Sequence, residues 1–405
     1  MVSFEIPIDY GEAAVRAYLD YNANAPIRPQ AARAVAQTLD EQFGNPSSAH
    51  RWGHRAKVVL ERARGQVAAL LSARPEEIVF TSSATEANNL ALCGAAAAQE
   101  RPRHMVVSQI EHSSVLEPAA DLERRGWKVS RIAPDPEGWV DPARVLEALG
   151  EETFLVSLMH ANHEVGTLQS VSALAPELRR RGILLHCDAA QSAGKVALSA
   201  PDLGADLITL SAGKLGGACG AGCLWVRDGV PLSPLLRGGS QEGRRRAGTQ
   251  GLALLAGFGA AAQEAGAGLQ EEGIRLAGLR DRLEEELRQR FPSVRLHGRG
   301  RQRLPGTTNF ALPGVRGEDL VLALDLEGVA VSTGSACDAG TIHASHVLQA
   351  MGIPPSQSGW AVRVSLGHAS RAAEIDFLLA ALSRILERLP RAGVVPEAFE
   401  VEAVP

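Results

Sequence analysis

Five short segments carry residues able to do chemistry, and each lies just past an apolar run. "FTSSATEANN" places Ser82, Ser83 and Thr85 where a strand gives way to a helix, with Ala84 between them. The N–H groups of a first helical turn, with hydroxyls beside them, make a seat for a phosphate. An ordinary N-cap with Glu86 in the first turn uses the same residues. "SQIEHSSV" sets His112 a few residues beyond the strand "HMVVS". An imidazole there can stack on a flat ligand, move protons near neutral pH, or act as a hydrogen-bonded structural group. "MHANHEVG" puts Asn162 past a buried strand, where a neutral amide can hold a ring hydroxyl or form a turn.

"LLHCDAAQS" ends an apolar strand on Asp188, and Gln191 follows three residues on. A carboxylate at that place is costly unless it faces a cation or caps a helix. "LITLSAGKLGG" presents Lys214 between Gly213 and Gly216-Gly217, so little side-chain bulk hinders its amine. A Schiff-base lysine needs a lowered pKa, which partial burial beside other cations supplies. One cofactor draws on all five segments. Pyridoxal phosphate asks for such a lysine, an acid for its ring nitrogen, a phosphate seat and a partner for its phenolic oxygen.

These residues need elements to hold them. From about residue 76, short strands alternate with helical stretches: "EIVFT", "HMVVS", "WKVSRI", "FLVSLMH", "ILLHCD", "DLITLS" and "GCLWV" are the strands. Helices are expected after the first two, over 141–149 and over 171–181. This order predicts an α/β fold with a largely parallel sheet covered by helices, and ligands at the carboxyl ends of the strands. After Thr249 the texture changes. Residues 250–290 read as one or two long helices. Strands "VRLHG", "GTTNFAL" and "VRVSL" and helices at 317–326, 344–350 and 371–389 follow, as a smaller α+β unit. The expected domains are a large one over 18–255, a small one from 1–17 and 256–390, and a tail over 391–405.

The chain has 405 residues, 45% hydrophobic and 21% charged, with a formal net charge of −5. That balance gives no reason to expect nucleic acid or an anionic membrane as partner. Arg244-Arg245-Arg246 read more simply as a phosphate-site or interface feature. No run of about 18 apolar residues is present. The start, "MVSFEIPIDYGEAAVR", lacks the basic-then-apolar pattern of a targeting peptide, so a cytoplasmic location is expected. Five scattered cysteines without a C-x-x-C fit a reducing compartment. Cys219 and Cys223 have no second ligand pair nearby, and no metal is expected.

From "YLDYNANAPIRP" through "SLGHAS" the chain resembles the cysteine desulfurases, in the class V aminotransferase-like branch of pyridoxal-phosphate enzymes. The motifs include "FGNPSSAHRWG", "IEHSSVL", "MHANHEVGT", "HCDAAQSAGK", "GGSQEGRRRAGTQ" and "STGSACDAGTIHASHVLQAMG". The resemblance implies fold type I, a mostly parallel central sheet flanked by helices with a smaller α+β domain. It implies that Lys214 holds the cofactor covalently, Asp188 pairs with the ring nitrogen and His112 stacks on the ring and relays protons. Gln191 and Asn162 would contact the ring oxygen and the substrate side. Ala84, Thr85 and Ser211 would hold the phosphate, with Thr249 reaching the phosphate of the other subunit of a homodimer. Arg363 and Asn162 would fix the carboxylate of L-cysteine.

Cys337, in the small, polar segment "STGSACDAG", would take the sulfur as a persulfide and release alanine. The spacing to "SHVLQAMG" resembles the branch that passes sulfur to an acceptor protein, such as an iron–sulfur scaffold or a tRNA-thiolation relay. A selenocysteine lyase or another enzyme of this fold is the nearest alternative, and a cofactor-poor scaffold protein the one of a different class. The chain also departs from the family pattern. Gly213 stands where a phosphate-donating histidine is usual, Ala218-Cys219 where Pro-Lys is usual, and Asn24-Ala25 where threonines are. "NHE" replaces Asn-Asn-Glu and puts His163 beside Asn162, and "GTQG" replaces Gly-Thr-Glu-Asn. At Gly213 one cofactor-phosphate donor is expected to be missing.

Overall fold

The structure, a computed structural model, describes residues 16–334 and 345–388. Cys337 and the tail over 391–405 lie outside the described residues. The chain enters through a short strand, β1 (Ala17–Tyr18), and two helices, α1 (Pro29–Glu41) and α2 (Arg51–Leu70). Pro29 suits the first turn of α1, where its missing N–H is not needed. His50 caps α2 by accepting from Gly53 N at 3.2 Å. An alternation read only from residue 76 onward passes over both helices.

The alternating region then forms as expected: β2 (Ile78–Thr81), α3 (Ala84–Ala97), β3 (His104–Ser108), α4 (Ser113–Arg124), β4 (Lys128–Ile132), α5 (Pro142–Glu147) and β5 (Thr153–Ser157). It continues with α6 (Ala175–Arg181), β6 (Leu184–Asp188), α7 (Ala200–Leu203), β7 (Leu207–Ser211), α8 (Ala212–Leu215) and β8 (Gly222–Val226). The strands lie side by side in the order β2-β8-β7-β6-β5-β3-β4. The five from β7 to β4 run parallel, and β8 is antiparallel to both its neighbours. Residues 212–221, all that joins β7 to β8, are too few for the dozen or so that a parallel crossover takes. Strands β3 and β5 are buried at every position because helices cover both faces, whereas the edge strand β4 is largely exposed.

Helices α9 (Leu252–Ala267) and α10 (Leu269–Arg290) follow, bent by 75° at Gly268. Among the described residues no single helix is long and apolar enough to cross a membrane. Phe258, Ala261 and Ala265 of α9 share a core with Leu60, Ala63 and Val67 of α2 and with the sheet. Gly259 makes that contact possible: a Cβ there would lie 2.7 Å from the Ala63 Cα. Helix α10 packs instead with the elements that follow, so the change of core falls at the Gly268 bend.

Those elements are β9 (Arg295–His297), β10 (Thr307–Ala311), α11 (Gly317–Leu326), β11 (Val329–Ala330), α12 (His346–Ala350), α13 (Pro355–Ser358), β12 (Ala361–Ser365) and α14 (Ala372–Arg388). An antiparallel sheet in the order β12-β10-β9 and a parallel β1–β11 pair surround Leu283, Phe310, Val362, Ile375 and Leu382. Helix α12 returns to the first core through Val347 and Leu348. A buried ion cluster ties α10 to this second sheet. Glu284, 1% exposed, accepts from Arg303 (2.6 and 3.1 Å), Arg299 (3.0 Å) and the Thr308 hydroxyl (2.7 Å).

Glu284→Ala leaves the mostly buried Arg303 without its partner and is expected to destabilise the protein by about 3–5 kcal/mol. By contrast Glu177→Ala, which removes a surface pairing with Arg180 and Arg181, should change stability far less, because solvent screens that pair. Equilibrium denaturant unfolding of the two variants checks the contrast.

Candidate active site

A cavity of ≈ 360 Å³ opens at the carboxyl ends of the parallel strands, which is the place such sheets bind ligands. One end of it is the first turn of α3. Ser83 caps that helix by accepting from Glu86 N at 3.1 Å, and Ala84 and Thr85 line the cavity beside it. Ser211, at the end of β7, lines the same end. Strand β8 presses against this turn so closely that a Cβ on Gly222 would lie 2.5 Å from the Ser83 carbonyl carbon. Backbone N–H groups and hydroxyls converging on one end of a cavity suit a phosphate.

Asp188 ends β6 at the cavity wall, 6% exposed. Its Oδ2 accepts from Asn88 Nδ2 at 2.7 Å and its Oδ1 from Ala190 N at 2.9 Å. Among the described residues no Lys or Arg pairs with it, so a cation in the cavity is the partner this carboxylate lacks. His112 stands at the N-cap of α4 and receives Ser114 N on its Nδ1 at 3.1 Å. Burial lowers the His112 pKa. Asp188 opposes this, and Lys214 and His346 add to it. Behind His112, Glu111 is fully buried and accepts from Ser108 Oγ (2.8 Å) and Met159 N (2.7 Å). Burial pushes its carboxyl up to about 8, so it is protonated at neutral pH.

Lys214 lies on the short helix α8 and donates to the Ala23 carbonyl. Ala23 belongs to a turn between β1 and α1 that forms the opposite wall with Asn22. Gln191 Nε2 donates to the Asn22 carbonyl at 2.9 Å. Arg363, on β12, reaches the cavity from the second sheet. Its guanidinium is 3% exposed and already held: Nη2 meets Asp20 at 2.7 Å and Nη1 donates to the His163 carbonyl at 3.1 Å. Its Nε is buried with no partner among the described residues. A guanidinium at the cavity wall suits a ligand carboxylate.

The structure thus gathers Ala84, Thr85, His112, Asp188, Gln191, Ser211, Lys214 and Arg363 around one cavity. Asn162 does not join them. It is 0% exposed, its Oδ1 accepts from Glu164 N (2.9 Å) and Val165 N (3.0 Å), and its Nδ2 donates to the Ile110 carbonyl (3.1 Å). The turn-forming role is the one it plays, and His163 lines the cavity in its stead, 5.5 Å from the His112 ring. Burial holds the His163 imidazole well below its ordinary pKa, with His112 and Arg363 adding to the effect.

Gly213 is behind the wall: a Cβ there would meet Asn24 Oδ1 at 2.6 Å and Cys219 Sγ at 3.4 Å. Three departures from the family pattern therefore touch one another, since the Cys219 thiol also donates to Asn24 Oδ1 at 3.2 Å. Thr249 is exposed and does not line the cavity. Its loop is fixed by Glu242, which is buried against Arg64 (2.7 and 2.9 Å) and Phe80 N (2.9 Å). Asn22 and His163 line the cavity with no role assigned to them from sequence, and Lys195 stands behind Asn22. Of these only His163 carried a signal, as a histidine displacing an expected asparagine.

A phosphate seat, a buried carboxylate without a Lys or Arg partner among the described residues, a lysine and a guanidinium form a donor set that fits pyridoxal phosphate with an amino acid. The comparisons with known proteins agree. The family model described as "Aminotransferase class-V" matches residues 17–378. The chain is 40% identical over 373 residues to "Cysteine desulfurase IscS" of Dictyoglomus turgidum, covering 92% of this chain and 95% of the relative. A solved structure titled "NIFS-LIKE PROTEIN" superposes with a TM-score of 0.87 at 34% identity, covering 92% of this chain and 100% of that one. Another, titled "SspA in complex with cysteine", gives a TM-score of 0.77 at 32% identity over 87% of this chain and 99% of that one.

The buried Glu111 makes stability depend on pH with a definite sign. Its carboxyl titrates near its ordinary value of 4.5 when unfolded and at about 8 when folded. Between those values the folded state binds the extra proton, so stability is lost as pH rises through about 8. Glu111→Gln keeps an acceptor for Ser108 and Met159 N but cannot ionise. Its melting temperature is expected to fall less than that of the parent protein between pH 6 and pH 9, a range chosen to span about one unit beyond the folded value.

Proposed function

The chain belongs to the class V aminotransferase family, and on that premise we propose that it is a cysteine desulfurase that binds pyridoxal phosphate and converts L-cysteine to L-alanine and a persulfide on Cys337. The observation that carries this reading is the cavity in which Lys214, Asp188, His112 and Arg363 meet the first turn of α3. Relatives named cysteine desulfurase support it along 92% of the chain. When bound, pyridoxal phosphate supplies the electron sink that makes a proton on the substrate Cα removable.

The residues of the chain do the rest. Thr85, Ser211 and the α3 amides hold the phosphate, and Asp188 holds the ring nitrogen in its protonated form. Arg363, oriented by Asp20 and the His163 carbonyl, offers its guanidinium to the substrate carboxylate. Lys214 anchors the cofactor and takes the Cα proton on Nζ. His112, kept neutral by burial, accepts and returns protons beside it. Cys337 then attacks as a thiolate. Its Sγ forms a bond to the substrate sulfur, the carbon–sulfur bond breaks, and a proton delivered to that carbon completes alanine. Cys337 retains the sulfur as a persulfide.

The persulfide passes to an acceptor protein, for iron–sulfur assembly or tRNA thiolation, in the cytoplasm. The protein works as a homodimer in which Thr249 completes the phosphate seat of the partner subunit. Exposed Phe43 and Trp52, stacked 4.9 Å apart at the start of α2, support an interface there.

Incubation with L-cysteine is expected to release alanine and to add one sulfur to Cys337, seen by mass spectrometry of the intact protein and its peptides. Lys214→Ala should lose the visible absorbance band of the cofactor, and Cys337→Ala should keep that band while losing alanine release. Undiminished alanine release from Cys337→Ala would overturn the persulfide step.

A further inference from the structure

Beside Lys214 lies a second lysine that the reaction does not use. Lys195 follows β6 by two turns of chain and points back to the site. Its Nζ donates to Asn22 Oδ1 at 2.8 Å and to Gln191 Oε1 at 2.9 Å. Asn22 and Gln191 are cavity-wall residues, and they are joined by the Gln191 Nε2 bond to the Asn22 carbonyl. The next residue after Asn22 is Ala23, whose carbonyl receives Lys214. The two lysines therefore grip one turn from either side, and both line the narrow cleft behind it.

Lys195 has no carboxylate partner among the described residues. The neighbouring acids are engaged elsewhere: Asp20 with Arg363, Glu264 with Arg28 and Glu272 with Arg275. The other charged groups that face Lys195 are Lys214 and the Arg363 guanidinium, with the His368 imidazole in the same cleft. A lysine held by two neutral amide oxygens, with no carboxylate to absorb its charge, acts on its surroundings mainly through that charge. Burial lowers its pKa to about 7, with Lys214 and Arg363 adding to the depression. An ordinary surface lysine would show neither feature.

We propose that Lys195 is a positioning residue for Lys214: it fixes the Asn22–Ala23 turn on which Lys214 rests and places a second positive charge beside it. The charge disfavours a proton on the Lys214 nitrogen, as a neighbouring cation does for reactive lysines in general. Since Lys195 itself loses its proton near neutral pH, the two nitrogens titrate as a linked pair. The inference rests on the reading that Lys214 carries pyridoxal phosphate.

The test is a spectrophotometric pH titration of the cofactor band in the full-length protein loaded with pyridoxal phosphate. Lys195→Met and Lys195→Gln both remove the charge, and the second keeps an amide in the cleft. Each is expected to move the midpoint up by about one pH unit or more and to sharpen the transition to a single proton. Lys195→Arg should restore a midpoint near that of the parent protein. Thermal melting identifies any variant that fails to fold, and either neutral variant suffices for the comparison. A parent protein that titrates while both neutral variants share its midpoint overturns the role of Lys195. A parent protein with no band that depends on Lys214 overturns the cofactor reading instead.

Discussion

Asn22 spends every polar atom it has on holding two sheets to one cavity. Its backbone N–H donates to Ser365 Oγ at 2.9 Å and its carbonyl accepts from Gln191. Its side-chain oxygen accepts from Lys195, and its Nδ2 donates to the His163 carbonyl (3.2 Å) and Thr307 Oγ1 (3.0 Å). Those partners come from β10, β12, the turn after β5 and the segment after β6. At 2% exposure none of these bonds can be exchanged cheaply for water. The parallel sheet supplies strand ends and the antiparallel sheet supplies Arg363, and this buried amide bonds to both, alongside the Arg363 bond to the His163 carbonyl.

Charge around the cavity is arranged so that few groups are ionised at once. Glu111 and Glu164 are fully buried, and burial raises both carboxyls. His163 and His112 are pushed the other way by the same cause. Arg363 is matched by Asp20, and Asp188 faces the cavity with no Lys or Arg partner among the described residues. A low-dielectric wall with a few unmatched charges makes each of them act strongly on a ligand.

The order of strand and helix was legible from residue 76 onward because buried strands and amphipathic helices differ in length and in the residues that close them. The cavity-lining acid and lysine at strand ends were legible for a related reason: an acid or a lysine at the end of an apolar strand is costly and therefore informative. Asn162 shows the limit. It and His163 are neighbours in one turn, and the direction of a side chain in an irregular turn is not written in periodicity. Lys195 and Asn22 lie 173 residues apart, and only the closed fold shows that they touch. The antiparallel β8 was a matter of connection length rather than of composition.

Glu164 meets both flanks of the segment that contains Cys337. Gly334 packs on its carboxylate so closely that no side chain could replace the hydrogen there, and Ser345 Oγ donates to the same oxygen at 2.6 Å. Gly334 and Ser345 are therefore held against one carboxylate. The cost of closing an excursion between fixed, adjacent ends grows only with the logarithm of its length. Residues can be gained or lost between those two points with little effect on the stability of everything around them. Chain length between these two anchors can thus change apart from the scaffold that holds them.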